Sequence, residues 1–497
     1  FFFFISFVAY ICIMIGIASF TSKKGSTKGE DYLMGGRSVG IVLLIGTAAA
    51  SAIGTGTSVG ATANGFRSGW LGALYPLANA AGLFTVALAF SHVRKFRFRT
   101  LAEEMQFYFD GSPQVRKFMA LVLLLISIVW VGSGINGGAN YLSFLIGIDI
   151  IWAKVITVFA FGVYVYVGGM IAVIWTDAIQ AFLLFFGFIF MSILAVSSAG
   201  GMETIALTFT EAGKAGAMTP FAIGEKGFLG LVAIGLASYY GSMAGPSAHS
   251  RVYTAKSAAT AKKAILIAGC VVTGFSILPA LVGMSAFTIA TRDGVDLVLN
   301  NPDFTFAFMA TEVFNPAIGL IFLIAGLSAI LSSADTDVMC AVTTFVTDVY
   351  ALIFKKQVKD EDIPKYSRGI LVFILATAFC MTIFATDVMS YINNVIGSFT
   401  PGLGVALLLG RFWKRATWQG AIASMGSGII CGIIFLVVPA VNTFIIDTFQ
   451  GPALPVTIIS LVFAVVTSLV TPPPFRSEEE RVDMVMRERA GEVDIKM

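Results

Sequence analysis

The chain has 497 residues, 57% of them hydrophobic and 12% charged, with a net charge of +3 and a mean hydropathy of +0.87. Soluble domains carry about 25% charged residues, so this composition excludes a soluble protein and offers no nucleic-acid surface. Ten-residue alternating segments are missing, which excludes a β-barrel and leaves an all-α membrane protein.

Apolar stretches of about 20 residues, enough to cross a hydrocarbon core as helix, recur along the chain. They predict thirteen transmembrane helices, near 1–20, 38–64, 70–93, 118–147, 151–169, 171–199, 227–249, 260–289, 314–353, 366–386, 388–411, 415–439 and 452–471. The first opens at Phe1 without a cleavage pattern behind it and is read as a span, not a signal peptide. Taken with residue 1 outside, the segments 21–37, 94–117, 250–263, 354–368, 411–415 and 472–497 are cytoplasmic and hold 27 of the 32 Lys and Arg residues. The positive-inside rule then places the N-terminus outside and the C-terminus in the cytoplasm of a cell (plasma or inner) membrane. The last 22 residues, "RSEEERVDMVMRERAGEVDIKM", read as a solvated helix or a disordered tail. The five cysteines lie in apolar runs at unrelated spacings, as small hydrophobes do.

The helix at 38–64 carries Gly54 and Gly56 among Ala, Ser and Thr at mid-span. The helix at 227–249 carries Gly241, Gly245 and Pro246. Glycine loosens a helix and proline removes a backbone bond. Irregular backbone survives in lipid only where protein or a watery cavity covers it. Each interrupted helix opens a set of five spans, and an odd number of spans per repeat inverts the second set relative to the first. Matched interruptions of this kind point to the binding site of a secondary transporter; small-residue helix packing is the plainer reading. The expected organisation is an N-terminal helix and loop (1–37), a first repeat (38–199), a second repeat with its preceding loop (200–411), two peripheral helices (412–471) and a tail (472–497).

The helix at 314–353 contains "SAILSSADTDVMC". Ala329, Ser332, Ser333 and Thr336 stand at i, i+3, i+4 and i+7 and share one face. Two adjacent hydroxyls above a carbonyl are hard oxygen ligands. Carbonyls freed by an unwound helix would complete a shell for Na+. Otherwise the serines bond back to carbonyls one turn earlier. Asp335 and Asp337 flank the face, and a carboxylate at bilayer depth faces a cavity or a partner. Asp335 carries more weight, because Asp337 approaches a solvated region. Asp177 is the other acid between apolar runs, read as a helix-start anchor or as a relay or cation ligand paired with Asp335 or Thr336. No basic side chain is expected at mid-membrane, and Arg251 counts among the cytoplasmic positives.

Three segments resemble the sodium:solute symporter family, which shares the inverted-repeat fold of a leucine transporter: "DYLMGGRSVG", "GGMIAVIWTDAIQ" and "SAILSSADTDVMCAVTTFVTDVY". The resemblance spans about 30 to 470. It implies a sodium held by the carbonyls of Ala50, Ile53 and Ala329 and the hydroxyls of Ser332 and Ser333. Some members hold a second sodium, at positions that fall here on Asp177, Ser332, Asp335 and Thr336; Asp335 stands where they usually have Ser or Thr, which leaves one sodium, two, or a proton open. Gly56, Thr57, Gly245 and Ser247 replace the residues by which sugar carriers hold their substrate. "GPSAHSR" looks like the proline-carrying branch, and "SSADTD" like choline and pantothenate carriers.

The cavity is expected to be lined by Ser51, Thr55, Thr57 and Ser58 from the first interrupted helix. Tyr75, Asn79, Asn136 and Asn140 join them from the next two helices. Tyr239, Tyr240 and Ser242 would come from the second interrupted helix, and Tyr391 and Asn394 from 388–411. The function expected is uptake of a small organic solute (an amino acid, organic acid or similar metabolite) coupled to inward sodium flow by alternating access. Proton coupling, or a sugar or choline substrate, is the alternative. An enzyme is disfavoured because His92 and His249 both lie near the cytoplasmic boundary. A channel or sensor is disfavoured because the chain carries its own repeat and has no signalling domain. The chain is expected to act as a monomer or weak oligomer.

Overall fold

In lipid each backbone N–H and C=O must find an internal partner, and this chain meets that demand with helices. The computed structural model describes residues 2–22, 29–383 and 391–491. Among them the one strand-like pairing is an isolated parallel bridge between Val39 and Ala255. Eleven helices are long and apolar enough to cross a bilayer, or twelve with one bent pair. The fifth expected helix, 151–169, falls on Ile150–Val163, apolar but shorter than a span.

The helix α1 (Phe2–Ser22) leads to the first interrupted helix, α2 (Ile41–Ala52) and α3 (Gly56–Ser68), whose halves are bent by 58°. Then come α4 (Leu71–Phe96), the short α5 (Leu101–Tyr108), α6 (Pro113–Ile146) and α7 (Ile150–Ser198). Two separate helices were expected over α7. They are present: Gly169, at φ 62° and ψ −170°, is non-helical and divides α7 into two helices, a conformation open to glycine. The second interrupted helix is α8 (Ile223–Met243) and α9 (Pro246–Thr254), with extended backbone at Gly245 between them. Next are α10 (Ala258–Asp293) and α11 (Pro316–Phe354), the latter relieved by a π-turn at Phe345–Val349. The chain continues through α12 (Ile363–Thr382), α13 (Asn394–Phe412), α14 (Trp418–Val437), α15 (Ala453–Val470) and α16 (Glu478–Ala490). The expected helices 366–386 and 388–411 fall partly on 384–390, outside the described residues.

The core is built where α11 lies along α7 and α6, with α2 packed on α7 and α10. At the α3–α10 crossing a Cβ on Gly283 would stand 2.1 Å from the Thr62 carbonyl oxygen. Such close backbone approach, allowed by small residues, holds membrane helices together where water expulsion does not drive association.

Two outer elements are tied in more firmly than the sequence suggests. From α1, Tyr10 places its hydroxyl 2.8 Å from Ser328 Oγ on α11 and accepts from Gln180 of α7. The tail forms α16 behind a Ser477/Glu480 capping box. It docks on α5: Arg489 pairs with Glu103, Gln106 donates to Glu488 at 2.6 Å, and Arg476 reaches Asp110.

Candidate functional site

The first interruption sets the geometry. Ile53 leaves helical conformation at φ −89°, ψ 62°, which removes the next-turn partners of the carbonyls before it. Ser332 Oγ donates to the Ala50 carbonyl at 3.0 Å and lies 3.3 Å from that of Ala329. Ser333 Oγ turns to the neighbouring Ser51 carbonyl, at 3.1 Å. A Cβ on Gly54 would stand 2.1 Å from Ser333 Oγ, so the missing side chain makes room for the serine. Ala50, Ile53, Ala329 and Ser332 have no solvent exposure. The fold thus gathers oxygens of α2 and α11 that are 282 residues apart in sequence.

Asp177, Asp335 and Thr336 form a second cluster, and its centre is Arg251. Asp177 Oδ2 accepts from Thr47 at 2.6 Å, from Arg251 Nη2 at 2.8 Å and from Thr336 at 3.3 Å. Arg251 Nη2 also reaches Thr336 Oγ1, at 2.5 Å. Asp335, next to Thr336 on α11, is fully buried. Arg251 is fully buried, which its place among the charged residues of 250–263 did not suggest. The interruption at Gly245 explains this: α9 restarts inside the bundle and carries the guanidinium inward.

A cavity lies between the two interrupted helices and α11, with about 760 Å³ of empty space including the part open to solvent. Ser51, Thr55, Thr57, Tyr75, Asn79 and Ser242 line it, as expected. The other seven lie off its wall. Ser58 bonds back to the Gly54 carbonyl at 2.7 Å, and Asn140 faces Asp303 at 3.4 Å. Tyr391 donates to the Val129 carbonyl at 2.9 Å. Tyr239 sits 3.2 Å from the Thr85 hydroxyl, its ring packed against that of Tyr240. Asn136 is buried, and the Asn394 carbonyl accepts from Ser398. Trp130, Ser133, Ser247, Arg251 and Asp337 line the cavity and were not among the expected contacts. Asp337 was legible as a flanking acid, one turn beyond Ser333; Trp130 gave no signal amid the apolar run of α6.

The family profile described as "Sodium:solute symporter family" matches residues 32–428. The chain belongs to the sodium:solute symporter family. This symporter is 25% identical over 461 residues to the sodium/proline symporter of Salmonella typhimurium strain LT2, covering 87% of each chain. It is 25% identical over 441 residues to the sodium/pantothenate symporter of Haemophilus influenzae, covering 85% of this chain and 88% of that one. Its fold matches a substrate-bound, outward-open Na+-coupled sialic acid symporter with a TM-score of 0.75 at 18% identity, covering 96% and 99% of the two chains. The leucine-transporter-like fold expected from the sequence is therefore the fold of this symporter.

Proposed function

We propose that this protein couples inward sodium flow to uptake of a small organic solute by alternating access, with one sodium per cycle. The carrying observation is the placement of the Ser332 and Ser333 hydroxyls on carbonyls of the interrupted α2. In this reading the carbonyls of Ala50, Ile53 and Ala329 and the two hydroxyls bind Na+, each serine turning its lone pairs to the ion. The ion then holds α2 against α11 and completes the solute cavity beside it. Coupling requires that sodium favour one conformation, since equal affinity for both shifts nothing.

A single sodium is favoured by the second cluster. Arg251 already supplies the positive charge beside Asp177 and Thr336 that a second ion would bring. The Lys and Arg distribution supports an outside N-terminus and a cytoplasmic C-terminus. The proline and pantothenate carriers among its relatives support a small metabolite as solute.

The test is uptake into proteoliposomes under an imposed gradient, with potassium replacing sodium at fixed pH. Uptake that collapses without sodium and moves one charge-balancing sodium per solute is expected. Uptake that persists unchanged and follows the pH gradient instead overturns sodium coupling in favour of protons.

A further inference from the structure

Among the described residues nearly every buried carboxylate meets a cation or a strong donor. Asp177 meets Arg251, Asp348 meets Arg116 at 2.8 Å, Glu103 meets Arg116 and Arg489, and Glu104 meets His249 and Tyr253. Asp337 stands apart. It is 7% exposed, it lines the central cavity, and no ion pair or hydrogen bond to it exists among the described residues. A carboxylate so removed from water is costly unless a positive charge meets it.

We propose that Asp337 is a solute-recognition residue and that the transported solute carries a positively charged nitrogen. This rests on the carrier reading given above. Among the described residues the cavity wall has one other charged side chain, Arg251, and it is engaged by Asp177 and Thr336. With Arg251 engaged by Asp177, the Asp337 carboxyl has no partner of its own in the cavity among the described residues, and a cationic or zwitterionic solute would supply one. The same wall presents the rings of Trp130 and Tyr75, whose faces attract cations. Leu83 and Ile265 give apolar surface for the carbon part of such a solute. Asp337 stands one helical turn from Ser333, so solute charge and sodium would be read from one face of α11.

The test is melting of the purified full-length protein in sodium and in potassium against matched pairs of compounds. Choline is paired with 3,3-dimethyl-1-butanol, L-proline with cyclopentanecarboxylate, and putrescine with 1,4-butanediol. At least one nitrogen-bearing member is expected to raise the melting temperature while its nitrogen-free partner does not. Asp337→Asn is expected to weaken that compound at least thirtyfold, the ratio equivalent to about 2 kcal/mol for losing one member of a buried charge pair. It is expected to keep the stabilisation given by sodium alone, which shows that the variant is folded; Asp337→Glu is expected to recover part of the binding. The proposal is overturned if no amine shifts melting, if a nitrogen-free partner binds equally well, or if Asp337→Asn leaves affinity unchanged. It is also overturned if that variant loses the sodium shift instead, which makes Asp337 an ion ligand. Amine binding that needs Asp337 but is indifferent to sodium supports this proposal and defeats sodium coupling.

Discussion

Arg251 Nη2 and Asp177 Oδ2 meet at 2.8 Å with neither side chain exposed. Removing one member of a buried pair strands the other charge, at a cost of about 3–5 kcal/mol, whereas removing both costs much less. Asp177→Asn and Arg251→Met are each expected to lower the melting temperature sharply, and the double variant to recover part of the loss. Melting followed by fluorescence-detected size exclusion checks this. A double variant as unstable as the worse single one means that the two groups are not coupled.

The oxygens around the α2 interruption are expected to set sodium affinity. Ser332→Ala and Ser333→Ala each remove one ligand to a charged group, worth about 1.5–3 kcal/mol. Each is expected to raise the sodium concentration for half-maximal uptake by about tenfold or more. Gly54→Ala is expected to do the same without touching a ligand, because the new methyl displaces Ser333. Sodium titrations of uptake, normalised to expression, decide it; unshifted curves count against the site.

The α3–α10 contact gives a test of packing. The atoms facing a Cβ on Gly283 are backbone, the Thr62 oxygen at 2.1 Å and the Phe66 nitrogen at 2.6 Å, and cannot swing away. Gly283→Ala is expected to cost about 1–3 kcal/mol. Gly274→Ala, on the same helix with nothing within 4 Å, is expected to be neutral. Equal melting temperatures for the two variants refute the close approach.

Docking of α16 is expected to hold throughout the physiological pH range. Burial alone would raise the Glu103 pKa, but the Arg489 and Arg116 guanidiniums outweigh it and hold the carboxyl at about 2. A folded-state pKa below the ordinary value contributes stability that is present above that value and lost as pH falls towards the folded one. A spin label at position 483 is therefore expected to stay immobilised from pH 5 to 8 and to become mobile in Arg489→Ala. A label already mobile in the parent protein means that the tail is not docked.

Much of this architecture was legible from local pattern. Hydropathy found the spans, because each must be apolar along its own length. The Gly-rich runs at 54–56 and 241–246 located both interruptions. The i, i+3, i+4 spacing put Ser332 and Ser333 on the face that meets α2. The tail is a helix, one of its two expected forms; its docking was not legible, because its charge reads as solvation until Glu103 and Asp110 are known to face it. Thirteen polar cavity residues were expected and six line the wall; Asn140 and Tyr391 satisfy partners on other elements instead.

The sequence by itself determined the membrane-embedded helices, the positions of the two interruptions and the family, since these follow from apolar length, backbone propensity and contiguous motifs. Tertiary structure alone decided where the charges went. Arg251 and Asp177 are 74 residues apart, and only the restart of α9 inside the bundle brings them together. The same packing left Asp337 facing the cavity and sealed Asp335 behind it. Pairing depends on which side chains converge in three dimensions, and neither hydropathy nor periodicity along one helix encodes that.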